Sequence, residues 1–537
     1  MLHSKDMNDH SDQQLKDSYA QNLSLLAVNN CSYSKPVSSS NASERIPIVN
    51  YIFNPSSYGA VNGSTVASVI INSGAYSVYG PNSTVSLTVK FQNVLDDKLA
   101  WAWGDSWNNA NDAVPTAFTG KSGGSCANIF RQAIATSRGG TMCQQNLYAN
   151  LYSATTLPFQ GYGKELLMSG AGAASYSSDQ FQAIATYSDS PGGYSFPVYS
   201  ARCAVSFELP LSRLYHLFGQ KAPLPPMFVS GMRLNLTFEQ MQTAFCFFYA
   251  TNAVTTGAPF SGPFVPVDPL TALGRDGLTP VVGAVASPNL AYDVNNMSLN
   301  LDVSQLWDSS TQILNHIASS LNSSGLQYTY QGLWSTQVNL VGDTQTIEIP
   351  ISAAKIISVV ARIRNTQLFS NKGCFDSMAS LPLVKFGGSA DSKSICIVSN
   401  QQVGTLGNSS FRLRIGSHLL SLTPITSGSV LFRNTTQALM TVKNGQEDDI
   451  DALRKSNKPY DTDVSYADYY YGAGCSNIAF DLQKSSYLNN SGLASNNSKS
   501  ILFECQSLNV LTPVQCSLFV TYLQIANVTT ENVIIDL

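Results

Sequence analysis

Strict alternation of apolar and polar residues recurs along this 537-residue chain and constrains its fold more than any other feature. Val85, Leu87, Val89 and Phe91 alternate with Ser86, Thr88 and Lys90. The same period of two returns at Met232, Leu234, Leu236 and Phe238, at Leu299, Leu301 and Val303, at Ile347, Ile349 and Ile351, and at Phe411, Leu413 and Ile415. Successive side chains on a strand point to opposite faces, so each segment predicts a strand with one face in a core. Long polar stretches separate these segments, with no amphipathic helices of crossover length between them. The sheets are therefore expected to be antiparallel and not built of βαβ units.

Composition agrees. Charged residues are 12% of the chain against 44% hydrophobic, whereas ordinary domains carry about 25% charged residues. Neutral Ser, Thr, Asn and Gln fill the gap, with 37 Gly, 25 Tyr and 24 Phe, a usage that suits turns and half-buried strands. Low charge with 10% aromatics excludes disorder. Helical spacing is sparse. Leu211, Leu214, Tyr215 and Phe218, between Pro210 and Gly219, predict a short helix. Leu306, Trp307, Ile313, Leu314, Ile317 and Leu321 predict a longer one over 304–321. The run from Cys126 to Ile134 fits a helix by spacing, but Arg138-Gly139-Gly140 just beyond it favours strand, turn, strand.

Residues 1–45 are polar and without period, and read as an N-terminal arm. Six of the 23 prolines lie from Pro259 to Pro288. Taken alone this resembles a linker, but the strand and helix that follow make it a long ordered loop and move the boundary to the helix. Ala204-Val205-Ser206-Phe207-Glu208-Leu209 is echoed by Asn477-Ile478-Ala479-Phe480-Asp481-Leu482, about half the chain later. Two β units in tandem satisfy all these signals. The expected organisation is an arm over 1–45, a first unit over 46–305 with a Pro-rich loop at 240–290, a helical connector over 306–325, and a second unit over 326–537 carrying a charged, Tyr-rich insertion at 442–474.

Function classes can be excluded on charge and motif. The net charge is −4, and in the first 45 residues Lys5, Lys16, Lys35 and Arg45 are offset by Asp6, Asp9, Asp12, Asp17 and Glu44. No basic arm is available for direct nucleic-acid binding. No secretory leader and no apolar run of about 18 residues is present, so a soluble chain without a transmembrane segment is expected. The ten cysteines are scattered without C-x-x-C pairs, which suggests buried free thiols. Asn-x-Ser/Thr triplets such as those at Asn22, Asn82, Asn235, Asn322, Asn434 and Asn527 are expected by chance in so Asn- and Ser-rich a chain. Nucleophile-elbow, zincin, P-loop and dinucleotide motifs are missing. His3, His10, His216, His316 and His418 have no motif partner. The acidic clusters Asp96-Asp97 and Glu447 to Asp451 read as solvated faces and not as a glycosidase pair or a Ca²⁺ loop. Tyr469-Tyr470-Tyr471 reads as packing before it reads as a sugar platform. No catalytic, cofactor-binding or metal residue is assigned, and no cofactor is expected.

One resemblance emerges. Phe207-Glu208-Leu209-Pro210-Leu211-Ser212-Arg213-Leu214, then Pro223-Leu224-Pro225-Pro226 and Val229-Ser230-Gly231-Met232-Arg233-Leu234-Asn235-Leu236, resemble the double jelly-roll major capsid proteins. Leu413-Arg414-Ile415-Gly416-Ser417, Pro424-Ile425 and Gln437-Ala438-Leu439 resemble a signature in the second roll of the polinton-like virus, virophage and adintovirus branch. The resemblance implies an all-β chain of two tandem eight-stranded jelly rolls, with short helices and long inter-strand loops. It further implies a non-enzymatic capsid subunit whose pseudo-hexagonal homotrimers tile the icosahedral shell of a double-stranded DNA virus. Expected partners are itself, neighbouring capsomers, and penton and minor capsid or cement proteins. The expected location is the virion capsid, after synthesis and assembly inside the host cell. Loop 240–290 and insertion 442–474 are then expected at trimer or exposed contacts. The alternatives are a secreted β-sandwich adhesin or lectin-type glycoprotein and, behind it, a glycoside hydrolase.

Overall fold

The computed structural model describes residues 43–72, 77–103, 125–156, 171, 183–186, 195–219, 224, 226–252, 261–274, 278–306, 326–340, 344–351, 355–365, 410–415, 418–419, 434–435, 438, 477–482, 500–506, 514–528 and 533–536. In chain order the strands of the first half are β1 (Ser43–Ile52), β2 (Val66–Ile70), β3 (Ser77–Gln92), β4 (Leu99–Trp103), β5 (Phe130–Thr136), β6 (Met142–Asn146), β7 (Ala183–Thr186), β8 (Ser195–Ser200), β9 (Val205–Pro210), β10 (Arg233–Phe238), β11 (Phe245–Asn252), β12 (Ser261–Pro266) and β13 (Ala291–Leu306). The second half holds β14 (Leu326–Leu340), β15 (Gln345–Ile349), β16 (Lys355–Asn365), β17 (Ser410–Ile415), β18 (His418–Leu419), β19 (Asn477–Asp481), β20 (Ile501–Gln506), β21 (Val514–Val528) and β22 (Val533–Asp536). The longest helix among the described residues, α1 (Ala149–Thr156), follows β6.

Eight strands of the first half form two facing sheets, β1-β13-β3-β9 and β2-β10-β5-β6. Counted along the chain, the first strand pairs with the eighth, the second with the seventh, the third with the sixth and the fourth with the fifth. That nesting is one long antiparallel hairpin rolled up on itself, the jelly roll. The second half repeats it strand for strand, as β14-β21-β16-β19 over β15-β20-β17-β18, with β22 added beside β21. The chain is thus an all-β double jelly roll in which every strand pairing is antiparallel.

The alternating segments do what the pattern requires. In β3, Val85, Leu87, Val89 and Phe91 are buried while Thr84, Ser86 and Thr88 keep partial exposure. Leu234, Leu236 and Phe238 face the same core from β10. Ile347, Ile349, Leu413 and Phe411 build the second core with Val359, Leu518 and Phe503. The echoed segments become β9 and β19, the sixth strand of each roll, paired with β3 and β16 respectively.

Three local expectations are modified. Residues 211–219 form two 3₁₀ turns, Leu211–Arg213 and His216–Gly219, not one helix. Leu211, Leu214, Tyr215, Leu217 and Phe218 are all buried. Leu217 falls outside the Leu211, Leu214, Tyr215 and Phe218 stripe and is buried as well, so the segment packs on more than one side as two short turns. Ser304–Leu306 continue β13 against Arg45–Ser43 of β1 instead of starting a helix, so β1 begins inside the expected arm. The remainder of that helix and of the connector, residues 307–325, and residues 1–42 lie outside the described residues. At 125–146 the structure combines both readings. Ser125 caps a 3₁₀ turn over Cys126–Ile129, and β5 and β6 follow around a turn closed by Gly140 N–H on the Ser137 carbonyl at 2.9 Å. Gly140 has φ +82, where a side chain would be strained.

Candidate assembly surfaces

Three surfaces could act, and α1 makes the first. All eight of its residues are buried, because it lies between the rolls. Its Tyr152 ring meets His216 of the first roll at 4.8 Å and Phe519 of β21 at 5.3 Å. At its C-terminal end Thr155 and Thr156 donate their hydroxyls back to the Leu151 and Tyr152 carbonyls. Their remaining lone pairs accept from two arginines, Arg362 of β16 on Thr155 at 3.4 Å and Arg213 on Thr156 at 3.1 Å. Cations at a helix C-terminus are favourably placed against its dipole. Next to α1, Leu147 N–H donates to Ser335 Oγ at 3.1 Å, and Tyr330 Oη donates to the Cys143 carbonyl at 2.7 Å.

What α1 covers is the outer face of the sheet β14-β21-β16-β19. Register places Ser335, Phe519, Val360 and Ala479 in one row across that face. Leu333, Thr521 and Ser358 fill the row on one side, Ser517 and Arg362 that on the other, and all these residues are buried. Burial of Leu333, Phe519 and Val360 stabilises the seam by about 1.5–3 kcal/mol each.

The matching face of the first roll is the second surface, and it is open. Ile52, Ser298, Ser86 and Glu208 form one row, and Asn50, Asn300, Thr84 and Pro210 the next. Ile52 is 70% exposed. The neutral polar side chains bond to one another: Asn300 Nδ2 donates to Ser86 Oγ at 2.6 Å, Thr84 Oγ1 donates to Glu208 Oε1 at 2.6 Å, and the Thr88 and Ser206 hydroxyls are 2.9 Å apart. Beside this face, Tyr51, Ile52, Asn54, Ser68, Val69 and Ile70 line a shallow groove of about 340 Å³ without a charged group.

The third surface stands at one end of the first roll. The connections after β3, β6 and β10 leave the roll at that end and contribute a further sheet, β12-β11-β4-β8-β7. It is seated on an aromatic cluster. Trp101 and Trp103 of β4 lie opposite Phe247 and Phe245 of β11 and contact Phe91, Phe207 and Tyr199 at ring separations of 4.8 to 6.0 Å. The stretch expected as a Pro-rich loop over 240–290 supplies two of these strands, β11 and β12, and its residues 267–274 and 278–290 fold over the sheet. Buried Asp96 accepts from Val285 N–H and Lys98 N–H, buried Asp268 accepts from Leu270 N–H and Thr271 Oγ1, and Ser287 Oγ accepts from Leu95 N–H. These anchors fix a ledge on which Leu278, Val282, Val285 and Leu95 are exposed, Val282 at 93%.

No group of His, Cys, Asp and Glu among the described residues could hold a metal ion. Asp96 is buried as a loop anchor, and Asp97 pairs with Arg202 in solvent. His216 is buried beside Arg213 and Tyr152, and burial, aided by the nearby Arg213 charge, lowers its pKa to about 4. It is a neutral ring in the seam. Among the described residues Cys126, Cys143 and Cys516 are buried free thiols, with burial raising the Cys143 and Cys516 thiols to about 12. No helix among the described residues is long and apolar enough to cross a membrane. His3, His10, His316, the cluster at 447–451, Tyr469 to Tyr471 and the insertion 442–474 lie outside the described residues. Sequence pattern missed α1 and the Trp cluster. The period-2 run Leu99-Ala100-Trp101-Ala102-Trp103 was the available signal for the second, whereas α1 has no apolar stripe to detect.

No protein-family model and no curated relative matches the sequence. Among solved structures, the chain is similar to the PBCV-1 virus capsid at 10% identity and TM-score 0.49, over 94% of this chain and 100% of that one. It is similar to the Faustovirus major capsid protein at 8% identity and TM-score 0.49, over 93% and 92% of the two chains. For the mavirus major capsid protein the figures are 10% identity and TM-score 0.42, over 94% and 93%.

Proposed function

We propose that this chain is a major capsid protein whose homotrimers tile the icosahedral shell of a double-stranded DNA virus. The observation that carries the reading is the strand-for-strand repetition of one jelly roll within one chain, joined by a buried seam. Three such chains about a three-fold axis present six similar rolls, and six similar units make the near-hexagonal outline that tiles a surface. The motifs around Phe207 to Leu236 and Leu413 to Ser417 support the same family. Neutral Ser, Thr and Asn faces suit a subunit that meets many identical copies, since dense charge would add repulsion or desolvation at each contact.

On this reading the chain divides into an arm, two rolls and a connector near the boundaries drawn from sequence. It performs no catalysis, and it contacts its genome indirectly, for want of a basic arm. Its partners are copies of itself, penton proteins and minor capsid proteins, and it is made and assembled inside the host cell. The ledge at Leu278, Val282 and Val285 is rigid and apolar enough to serve as an exposed contact of the capsomer. Light scattering and negative-stain microscopy of the purified chain test the reading. Uniform three-fold particles of three times the chain mass are expected, and a monomer at micromolar concentration would overturn it.

A further inference from the structure

Away from the seam, arginines meet carboxylates. Arg202 pairs with Asp97 in solvent, and Arg412 and Arg414 share Glu504. Arg213 does not. It leaves the first 3₁₀ turn, Leu211–Arg213, keeps partial exposure, and donates from Nη1 to Thr156 Oγ1 at 3.1 Å. No carboxylate among the described residues pairs with it. Burial lowers its pKa only to about 10, so it stays charged near neutral pH. A guanidinium has five N–H donors, and a charge withdrawn from water is costly unless it is paired and hydrogen-bonded.

The groups around Arg213 do not neutralise it. The C-terminal end of α1 offers about half a negative charge, and Arg362 addresses the same end through Thr155. Thr156 is a neutral acceptor whose own proton is committed to the Tyr152 carbonyl at 3.0 Å. Tyr152 and His216 both lie within reach of the Arg213 charge, and burial keeps the phenol protonated and the imidazole neutral. One turn before Thr156 on the same side of α1, the Ser153 hydroxyl is fully buried without a hydrogen-bond partner. We infer that Arg213, oriented by Thr156 and joined by Ser153, holds a small inorganic oxyanion of the phosphate or sulfate class at the edge of the seam between the rolls. The planar guanidinium fork matches two oxygens of such an anion, and the serine hydroxyl supplies a further donor. The partial exposure of Arg213 gives the anion a way in. Once bound, it removes the excess positive charge where α1 carries the first roll onto Phe519 of the second. The site lies within one chain, so it goes beyond the capsid reading and does not depend on it.

Equilibrium dialysis of the full chain with radiolabelled inorganic phosphate, near neutral pH and at constant ionic strength, tests this. About one phosphate per chain is expected, with a dissociation constant of about 1 mM or below, and the melting temperature should rise saturably over the same range. Arg213→Gln should weaken binding about tenfold or more, and Ser153→Ala by about threefold. Arg213→Lys, which keeps the charge without the fork, should fall between wild type and Arg213→Gln. Arg202→Gln removes an exposed cation elsewhere and should leave binding unchanged. Sulfate should displace the phosphate, and a short single-stranded oligonucleotide should not. A wild type that binds no phosphate at about ten times that concentration, or binding untouched in both Arg213 variants, would overturn the inference while leaving the capsid reading standing. Displacement by the oligonucleotide would overturn the assignment to a free inorganic anion.

Discussion

The outer faces of β14-β21-β16-β19 and β1-β13-β3-β9 are the same surface built twice, and they have opposite fates. In the second roll the central row runs Ser335, Phe519, Val360, Ala479 and is sealed by α1. In the first it runs Ile52, Ser298, Ser86, Glu208 and remains open, its hydroxyls and amides bonded to one another. Topology fixes where a face lies and leaves its chemistry free. A face closed within the chain can carry Phe, Val and even a buried Arg362, whereas one exposed before assembly must stay soluble. Ser, Thr and Asn meet that demand without the desolvation cost of charges.

The comparison breaks most visibly at its two centres. Phe519→Ala should cost about 3–5 kcal/mol, because it empties the contact with Tyr152 in a fully buried site. Ser298→Ala, at the matching position of β13 on the open face, should change monomer stability by no more than about 0.5 kcal/mol. Urea unfolding of both variants under monomeric conditions measures the difference, and equal losses would show that the faces are not the contrast described.

Acid probes the closed side alone. The ordinary His value is 6.5, and His216 in the seam is lowered to about 4 by burial and by Arg213. A depressed folded-state value means the native seam favours the neutral ring. That stability is complete above about pH 6.5, and it falls as protons bind the unfolded chain first, until about pH 4. The full loss is about 3 kcal/mol. Carboxylates titrate over part of the same range, so the informative quantity is the difference between wild type and His216→Gln, whose unfolding free energy should fall less between pH 7 and pH 4.5. Parallel slopes for the two proteins would remove His216 as the source.

Much of this architecture was legible in the sequence, for identifiable reasons. Strands β3, β10, β13, β15 and β17 each have one face in a core, so alternation reported them directly. The echo of β9 in β19 was legible because both are the sixth strand of a roll and meet the same neighbours. Helix α1 was invisible because a helix buried on every side shows no stripe. The two 3₁₀ turns at 211–219 read as one helix because apolar spacing does not distinguish a turn buried on several sides from a helix buried on one. The open face was hidden for a different cause: Thr84, Ser86 and Thr88 look like any solvent-facing half of a strand, and only the comparison with Ser358, Val360 and Arg362 marks them as a surface with a counterpart.

A smaller effect tests how tightly the first roll is closed at the flank side. Gly80 in β3 lies directly under the backbone of the 216–219 turn, and a Cβ there would overlap the Phe218 carbonyl. Backbone cannot swing aside as a side chain can, so Gly80→Ala should destabilise by about 1–3 kcal/mol. Calorimetry checks it, and a melting temperature unchanged from wild type would show that the turn is free to move away from β3.

The smallest effects differ in sign between the two faces. Ser358 Oγ in the closed face is buried without a hydrogen-bond partner among the described residues. Removing an unsatisfied buried hydroxyl relieves its desolvation, so Ser358→Ala should be neutral or stabilising by up to about 1 kcal/mol. Ser86 on the open face instead accepts from Asn300 and keeps partial exposure. Ser86→Ala therefore removes a bond that water can replace, and should lie within about 0.5 kcal/mol of wild type, on the destabilising side. Thermal unfolding of the two alanine variants side by side reads the sign. A loss at Ser358 larger than that at Ser86 would mean that the closed face satisfies its hydroxyl after all, and that its polarity is structural.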